Sequence, residues 1–113
     1  MPVPLHPRKF RERGFNQSEE LCRALTRIQP TASLANILVR TIDTPSQTRF
    51  SRKERLRNLK MAFRLAPGVS LNPEDRYIIV DDVFTTGSTV NSCARVLRKE
   101  RIQRIDILTL GHG

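Results

Sequence analysis

The chain has 113 residues, of which 38% are hydrophobic and 5% aromatic, so we expect one small domain over residues 1–113 with a thin aliphatic core. Lys and Arg number 20 against 11 Asp and Glu, and the net charge of +9 favours polyanionic partners such as nucleic acid or multiply phosphorylated small molecules. No apolar run approaches the roughly 20 residues that span a bilayer, and no signal peptide is visible after Met1. A soluble, cytoplasmic protein without a membrane span is therefore expected.

The two cysteines, Cys22 and Cys93, lack a CxxC partner, which excludes the common zinc-site patterns. Each cysteine falls on the apolar face of a predicted helix. We therefore predict two buried free thiols rather than a disulfide or a catalytic nucleophile.

Prolines mark the beginning of the chain. Val3 and Leu5 have the composition of a strand end, which the neighbouring prolines restrict to the edge or the end of a sheet. A basic stretch follows these residues. A helix is predicted to follow Asn16, whose side chain suits the N-cap, with Glu19 completing a capping-box pattern.

The middle of the chain alternates short apolar runs with polar breaks. Residues 31–36 fit either a turn or a second short helix, and residues 37–42 are β-rich enough to predict a second strand. Residues 46–64 predict a loop, then a basic helix, then a short strand near residues 61–63. Residues 66–75, rich in turn-forming residues, predict a surface connection.

The last third of the chain has the order strand, loop, helix, strand. Residues 77–80 are a continuous apolar run, which is typical of a buried parallel strand. Apolar residues recur at helical spacing from Val90 to Leu97, which predicts a helix over residues 88–99. Residues 105–110 predict a final strand. This order is one right-handed crossover unit, and the chain is predicted to be α/β, with a mostly parallel sheet flanked by helices.

Basic residues concentrate in three clusters, within residues 8–13, 49–64 and 95–104. The third cluster lies near the end of a predicted helix, where positive charge complements the helix dipole, and we interpret it as a solvated face. The first two clusters are candidates for anion binding.

The clearest chemistry lies in residues 80–89. A buried strand ends in the adjacent carboxylates Asp81 and Asp82, at the edge of a parallel sheet where ligands collect in open α/β folds. The hydroxyl-rich turn after them, with a helix N-terminus behind it, predicts an anion nest in which Gly87 permits a positive φ. The carboxylates suit a diol or a hydrated Mg²⁺ and the turn suits a monophosphate, so the predicted ligand is a ribose 5-phosphate unit.

Two other phosphate-binding patterns are excluded, because the chain contains neither Gly-Lys-Ser/Thr nor GxGxxG. A purely structural turn remains the alternative for residues 80–89.

This segment resembles the phosphoribosyl pyrophosphate signature of type I phosphoribosyltransferases, with Phe84 bulkier than the aliphatic residue usual there. Residues 3–17 and blocks within residues 44–63 resemble the ComF/GntX family, so the resemblance covers essentially all 113 residues. It implies a partial type I phosphoribosyltransferase fold. Full-length family members carry a zinc-ribbon-like segment and an early part of the transferase domain, and we expect this chain to be the carboxyl-terminal part, N-terminally truncated.

The resemblance also implies that residues 6–14 form a loop facing the pyrophosphate, and it implies roles for individual residues. Asp81 and Asp82 would bind the ribose hydroxyls directly or through Mg²⁺, as indirect metal ligands. The residues implied for the 5-phosphate are Thr85, Thr86, Gly87, Ser88 and Thr89. The residues implied for pyrophosphate and for a mobile hood over it are His6, Arg8, Arg13, Gly14, Arg52 and Arg55. No catalytic residue is assigned. His6 is a candidate base by position only, and an ordinary exposed loop histidine is the alternative.

Two functions are compatible with these residues. One is a phosphoribosyltransferase, a glycosyltransferase that displaces pyrophosphate from phosphoribosyl pyrophosphate with an unidentified nitrogen acceptor. The other is a non-catalytic protein that senses the ribose phosphate or assists DNA uptake and utilisation in competence, with DNA or DNA-uptake proteins as partners. The charge favours nucleic acid, whereas the lack of an aromatic stacking platform argues against single-stranded DNA. A homodimer is compatible with either function.

Overall fold

The computed structural model describes residues 1–41, 51–84 and 86–112, with the backbone alone at residues 55, 56, 58–60, 83, 84 and 112. Its elements, in chain order, are α1 (Pro7–Arg13), α2 (Gln17–Ile28), β1 (Leu38–Arg40), α3 (Arg52–Met61), β2 (Phe63–Leu65), β3 (Tyr77–Phe84), α4 (Ser88–Lys99) and β4 (Ile105–His112). The chain is therefore α/β, as predicted.

The strands β3 and β4 form the predicted parallel pair, with Tyr77 aligned with Ile105 at one end of the ladder. Residues 1–3 lie parallel to β3 as well, because the Val80 N–H donates to the Met1 carbonyl and the Val3 N–H donates to the Val80 carbonyl, each at 2.9 Å. The Tyr77 N–H donates to the Arg104 carbonyl, on the β4 side. Successive residues of a strand direct their N–H groups to opposite sides, so the Val80 N–H, three positions later, points away from β4. β3 is thus central, with residues 1–3 on one side and β4 on the other.

The helix α4 covers one face of this sheet, and its bounds match the prediction. Val90, Cys93 and Leu97 are at most 2% exposed, and they pack with Ile79 of β3 and Phe63 of β2 in the main core. Burial of one large aliphatic side chain stabilises a fold by about 1.5–3 kcal/mol. These contacts hold α4 against β3 and so fix the position of the turn between them.

Residues 6–14 contain the helix α1, so the prediction of a loop was wrong. The helix has no buried residue, and therefore no apolar face that periodicity could detect. The residues at its two ends explain why the helix forms. The His6 Nδ1 accepts a hydrogen bond from the Arg8 N–H at 3.1 Å, a proline occupies the first turn, and Gly14 terminates the helix with φ 82°.

The helix α2 begins where the sequence predicts. The Asn16 Oδ1 accepts from the Ser18 N–H at 3.1 Å, which is an N-cap bond. The Glu19 carboxylate accepts from the Asn36 Nδ2 at 3.1 Å and lies 3.6 Å from the Arg23 guanidinium. After α2, residues 31–36 contain a turn and no helix, which decides between the two alternatives for that segment.

The middle of the chain forms a small antiparallel sheet, in which β1 pairs with β2 and Arg40 lies opposite Phe63. The predicted order of helix and short strand after the loop is confirmed by α3 and β2. The strand predicted at residues 37–42 is shorter than expected within the described part, and residues 46–50 of the predicted loop lie outside it.

The thiols Cys22 and Cys93 are buried and free, as predicted. In the three described ranges, no helix combines the length and the apolar character that crossing a bilayer requires.

Candidate ribose-phosphate site

Three parallel segments of the described chain end at one edge of the sheet. Residues 1–3 and β4 flank β3 and run in the same direction, so their carboxyl ends share an edge with that of β3. Residues 6–14 leave from this edge, and the turn from β3 to α4 lies there too. The topology therefore brings the segments predicted for ribose, phosphate and pyrophosphate to a common edge.

The carboxylates Asp81 and Asp82 lie within β3, which continues to Phe84 instead of ending at them, and both are half-buried. The Asp81 Oδ1 accepts from the Asp82 backbone N–H at 2.9 Å and lies 3.5 Å from the Ser18 Oγ of α2. Burial, with smaller contributions from the side-chain hydrogen bond and charge of Asp82, raises the pKa of Asp81 to about 6. At neutral pH the Asp81 carboxylate is therefore mainly ionised and presents hydrogen-bond acceptors.

The turn between β3 and α4 has the conformation that the sequence predicts. Gly87 has φ 83° and ψ 0°, a left-handed conformation that L side chains disfavour. The Thr86 Oγ1 lies 2.8 Å from the Ser88 Oγ and accepts from the Ser88 N–H at 3.3 Å. Thr89 is half-buried in the first turn of α4, and Thr85 lies outside the described residues. Hydroxyls from both sides of Gly87 thus collect at the helix N-terminus, where a small anion is favoured.

The basic residues predicted for pyrophosphate in the first part of the chain belong to α1 and its caps. His6 caps the helix and Gly14 ends it. The Arg8 Nε lies 3.6 Å from the Glu12 carboxylate on the surface, and Arg13 is exposed. These residues are presented on a short helix beside the site edge and not on the expected loop.

The predicted hood residues Arg52 and Arg55 lie in α3, which packs against α4. The Arg52 side chain is exposed. The Arg55 side chain and residues 42–50 lie outside the described part of the structure, so the hood remains a prediction.

Arg40 is a half-buried basic residue of β1 that the sequence pattern does not mark as functional. Its guanidinium lies 5.2 Å from the centroid of the Phe63 ring, a distance at which cation and ring attract. Burial raises the pKa of the Cys93 thiol to about 12, the Asp81 charge raises it as well, and the Arg40 charge lowers it. The charges of Asp81 and Arg40 therefore act on the Cys93 thiol in opposite directions. Detection of Arg40 requires the β1–β2 pairing, which the sequence pattern does not specify.

Asn16 and Ser18 were also missed as neighbours of the site. Asn16 is 9% exposed and Ser18 is 3% exposed. The Asn16 Nδ2 donates to the Val3 carbonyl at 3.0 Å, and the Ser18 Oγ faces Asp81. The capping pattern predicts the helix bond of Asn16 but not this second bond to a separate segment.

Two cavities adjoin the first residues of the chain. A cavity of about 640 Å³ is lined in part by Met1 and Cys22, and a cleft of about 460 Å³ adjoins Pro7 at the start of α1. Asp81 and Asp82 are not among the lining residues of either cavity. The described residues contain no group of three or more His, Cys, Asp or Glu side chains arranged to hold a metal ion.

The chain is similar to proteins named for competence and DNA utilisation. It is 40% identical over 113 residues to competence protein F of Haemophilus influenzae, which covers 100% of this chain and 49% of that protein. It is 40% identical over 109 residues to DNA utilization protein YhgH of Escherichia coli K12, covering 96% of this chain and 46% of the relative. Competence protein ComFC of Streptococcus pneumoniae is 27% identical over 108 residues, covering 96% and 45%.

The chain spans about half the length of these curated relatives. No family model matches the chain, and no solved structure matches it significantly.

Proposed function

Because the chain belongs to the ComF family, we propose that it is a phosphoribosyltransferase-type domain that binds phosphoribosyl pyrophosphate together with Mg²⁺. The observation that carries this proposal is the β3–α4 connection. There, two half-buried carboxylates of a parallel strand lead into a left-handed glycine at a helix N-terminus. We propose a partial type I phosphoribosyltransferase fold on the same grounds, since the α/β elements and the parallel β3–β4 pair are compatible with it.

The two ends of the β3–α4 connection differ in hydrogen-bonding character, and so do the two ends of ribose 5-phosphate. Asp81 and Asp82 accept hydrogen bonds and suit the vicinal hydroxyls of the sugar. The hydroxyls of Thr86 and Ser88 and the helix N-terminus suit the 5-phosphate, which Gly87 allows to approach the backbone. This separation keeps the phosphate away from the carboxylates, which would repel it.

The acidic pair fits a hydrated Mg²⁺. Mg²⁺ usually keeps several water molecules and binds proteins through one or two carboxylates together with substrate phosphates. Asp81 and Asp82 supply two carboxylates, and the described residues add no cluster of three metal-binding side chains. These two residues would hold the ion, which when bound would neutralise charge on the pyrophosphate leaving group.

The rest of the site would act by positioning and by charge. Residues 6–14 leave the same sheet edge as the acidic pair, and the arginines Arg8 and Arg13 suit a diphosphate because guanidinium groups bind phosphate oxygens in a bidentate manner. A ribose held at its hydroxyls and its phosphate has a fixed anomeric carbon. A nitrogen nucleophile then forms the C–N bond as the C–O bond to pyrophosphate breaks, and the nearby charges stabilise the leaving group.

Calorimetric titration with phosphoribosyl pyrophosphate and Mg²⁺ tests this proposal. Wild-type protein should bind, and the double variant Asp81→Asn, Asp82→Asn should bind at least about 100-fold more weakly, because two charged acceptors worth roughly 1.5–3 kcal/mol each are lost. The matched control is Glu74→Gln, Asp75→Asn, an exposed acidic pair in the β2–β3 connection.

Failure of the folded wild-type protein to bind, or an equal loss in the control, would overturn the proposal. Release of pyrophosphate when nucleobases and amines are supplied then distinguishes an enzyme from a sensor.

A second function is favoured by the relatives and by the charge. The relatives are named for competence and DNA utilization, and the chain carries +9. Exposed basic residues Arg52 and Arg57 of α3 and Arg98 and Lys99 of α4 lie on helices that are in contact. We propose as the alternative a non-catalytic protein of DNA uptake or utilisation that contacts DNA phosphates through this surface.

Fluorescence anisotropy with duplex DNA tests the alternative. A protein that contacts about six phosphates loses roughly 10³-fold in affinity between 50 and 200 mM salt. Substitution of Arg98 and Lys99 by Gln should reduce the salt slope by about two, without affecting binding of phosphoribosyl pyrophosphate. No DNA binding at low salt excludes a direct DNA contact.

A further inference from the structure

Two buried polar residues at the start of α2 connect the first segment of the chain to the acidic pair. The Asn16 Nδ2 donates to the Val3 carbonyl at 3.0 Å, and the Asn16 Oδ1 accepts from the Ser18 N–H at 3.1 Å. The Ser18 Oγ lies 3.5 Å from the Asp81 Oδ1. A chain of polar contacts thus runs from Val3 to Asp81 through the N-terminus of a helix.

Val3 is hydrogen-bonded to β3 next to the acidic pair, so the Asn16 side chain links α2 to the part of the sheet that carries Asp81. The Val3 N–H donates to the Val80 carbonyl at 2.9 Å, and Val80 immediately precedes Asp81. The bonds of Asn16 have ordinary lengths, whereas 3.5 Å is long for a hydroxyl–carboxylate bond. Asn16 is therefore the firmer link, and Ser18 contributes a looser contact.

Helix capping alone does not account for this arrangement. An N-cap side chain needs to accept one hydrogen bond from the first turn and can do so on the surface. The Asn16 side chain is buried and also donates to a segment thirteen positions away in sequence. Such a donor costs free energy when it loses its partner, because it has been removed from water. The second bond therefore fixes α2 relative to residues 1–3.

We propose that Asn16 and Ser18 are positioning residues that hold the pyrophosphate segment and the ribose carboxylate in mutual register. The inference rests on the proposed function, since it takes residues 6–14 as the pyrophosphate side and Asp81 as the ribose side. A ligand that spans two subsites gains the full benefit of both only when they are correctly spaced. Phosphoribosyl pyrophosphate spans both, whereas ribose 5-phosphate and inorganic pyrophosphate each occupy one.

Three variants separate this role from helix capping and from general packing. Asn16→Asp keeps an acceptor for the Ser18 N–H and removes the donor to Val3. Ser18→Ala removes only the hydroxyl that faces Asp81. The control is Ser92→Ala, because Ser92 is also buried, at 6% exposure, and its Oγ bonds to the Ser88 carbonyl within α4 at 2.9 Å.

Calorimetric titrations with the three ligands in Mg²⁺ give the decisive measurement. Asn16→Asp should weaken binding of phosphoribosyl pyrophosphate about tenfold and change the affinities for ribose 5-phosphate and pyrophosphate by less than about twofold. Ser18→Ala should weaken both ribose-containing ligands about threefold to fivefold and leave pyrophosphate unchanged. Ser92→Ala should change none of the three. An equal loss for all ligands in Asn16→Asp, or no loss, overturns the inference.

Amide hydrogen exchange in the absence of ligand separates this inference from the proposed function. Asn16→Asp should accelerate exchange at the Val3 and Val80 amides, which join residues 1–3 to β3, and should leave the Leu97 amide of α4 unchanged. Unchanged exchange at Val3 and Val80 overturns the inference on its own. Absence of binding of all three ligands to wild-type protein overturns the proposed function.

Discussion

The left-handed conformation of Gly87 allows the effect of one substitution to be estimated. Gly87 has φ 83° and ψ 0° at the residue before α4. In this region a Cβ crowds the following carbonyl oxygen, at a cost of roughly 1–2 kcal/mol. Gly87→Ala should therefore lower the free energy of unfolding by about 1–2 kcal/mol, which is roughly a 5- to 30-fold change in the ratio of folded to unfolded protein.

Gly68 provides a matched control, because it has a similar φ of 77° and an added Cβ there meets nothing within 4 Å. It lies in the connection between β2 and β3, away from the proposed phosphate turn. Gly68→Ala should cost about the same stability for the same steric reason. Binding of phosphoribosyl pyrophosphate should weaken only in Gly87→Ala, because relief of that strain reshapes the turn at the helix N-terminus.

Urea unfolding followed by circular dichroism measures the first effect, and calorimetric titration in Mg²⁺ measures the second. If Gly87→Ala is as stable as wild type, the left-handed conformation is not obligatory and the steric reasoning fails. If both alanine variants lose stability and both retain full affinity for phosphoribosyl pyrophosphate, Gly87 is needed for the backbone conformation of the turn and not for phosphate binding.

Titrations of the acidic pair and of the thiols supply further predictions. The pKa of Asp81 is raised from 3.8 to about 6 in the folded state, so the folded protein binds the proton more tightly and the free energy of unfolding should fall as pH rises from about 4 to about 6. Urea unfolding across this range should show the slope, and Asp81→Asn should remove it. Affinity for phosphoribosyl pyrophosphate should rise over the same range as Asp81 ionises, and a flat profile would contradict its role. Burial raises the pKa of Cys22 and raises that of Cys93 to about 12, so a thiol reagent should react slowly with native protein and rapidly in urea. Fast reaction of the native protein that persists in Cys22→Ala would show that Cys93 is accessible.

The sequence predicted the last third of the fold well because its signals are local. The apolar residues of α4 recur at helical spacing, and β3 opens with a continuous apolar run. Gly87 lies between these two elements, immediately before α4. Parallel pairing of β3 with β4 follows from the strand–helix–strand order. These features require no knowledge of distant contacts.

The two local errors have different physical causes. The helix α1 is stabilised at its ends, by the cap at His6 and the left-handed Gly14, and it buries no residue. It therefore has no apolar face that the sequence pattern could reveal. The strand β3 was predicted to end in the two aspartates, whereas it continues to Phe84. In the structure β4 continues alongside, with Asp81 aligned with Thr109, and this parallel neighbour keeps the backbone extended.

The remaining parts of the site depend on contacts that are remote in sequence. The bond from Asn16 to Val3 joins positions thirteen apart, and the contact from Ser18 to Asp81 joins positions 63 apart. Arg40 is brought opposite Phe63 by the pairing of β1 with β2. None of these partners can be identified from periodicity or from a motif, since each is set by how separate elements pack.

This difference divides the candidate site into two halves with different origins. The phosphate turn is determined locally, because a left-handed glycine and the amphipathic helix behind it are adjacent in sequence. The position of Asp81 is determined by tertiary structure, because its strand is paired with residues 1–3 on one side and with β4 on the other, and α2 contributes Ser18 beside its carboxylate. The motif alone therefore indicates the proposed class of ligand, whereas the proposed alignment of ribose with pyrophosphate would depend on the packing of α2 against β3.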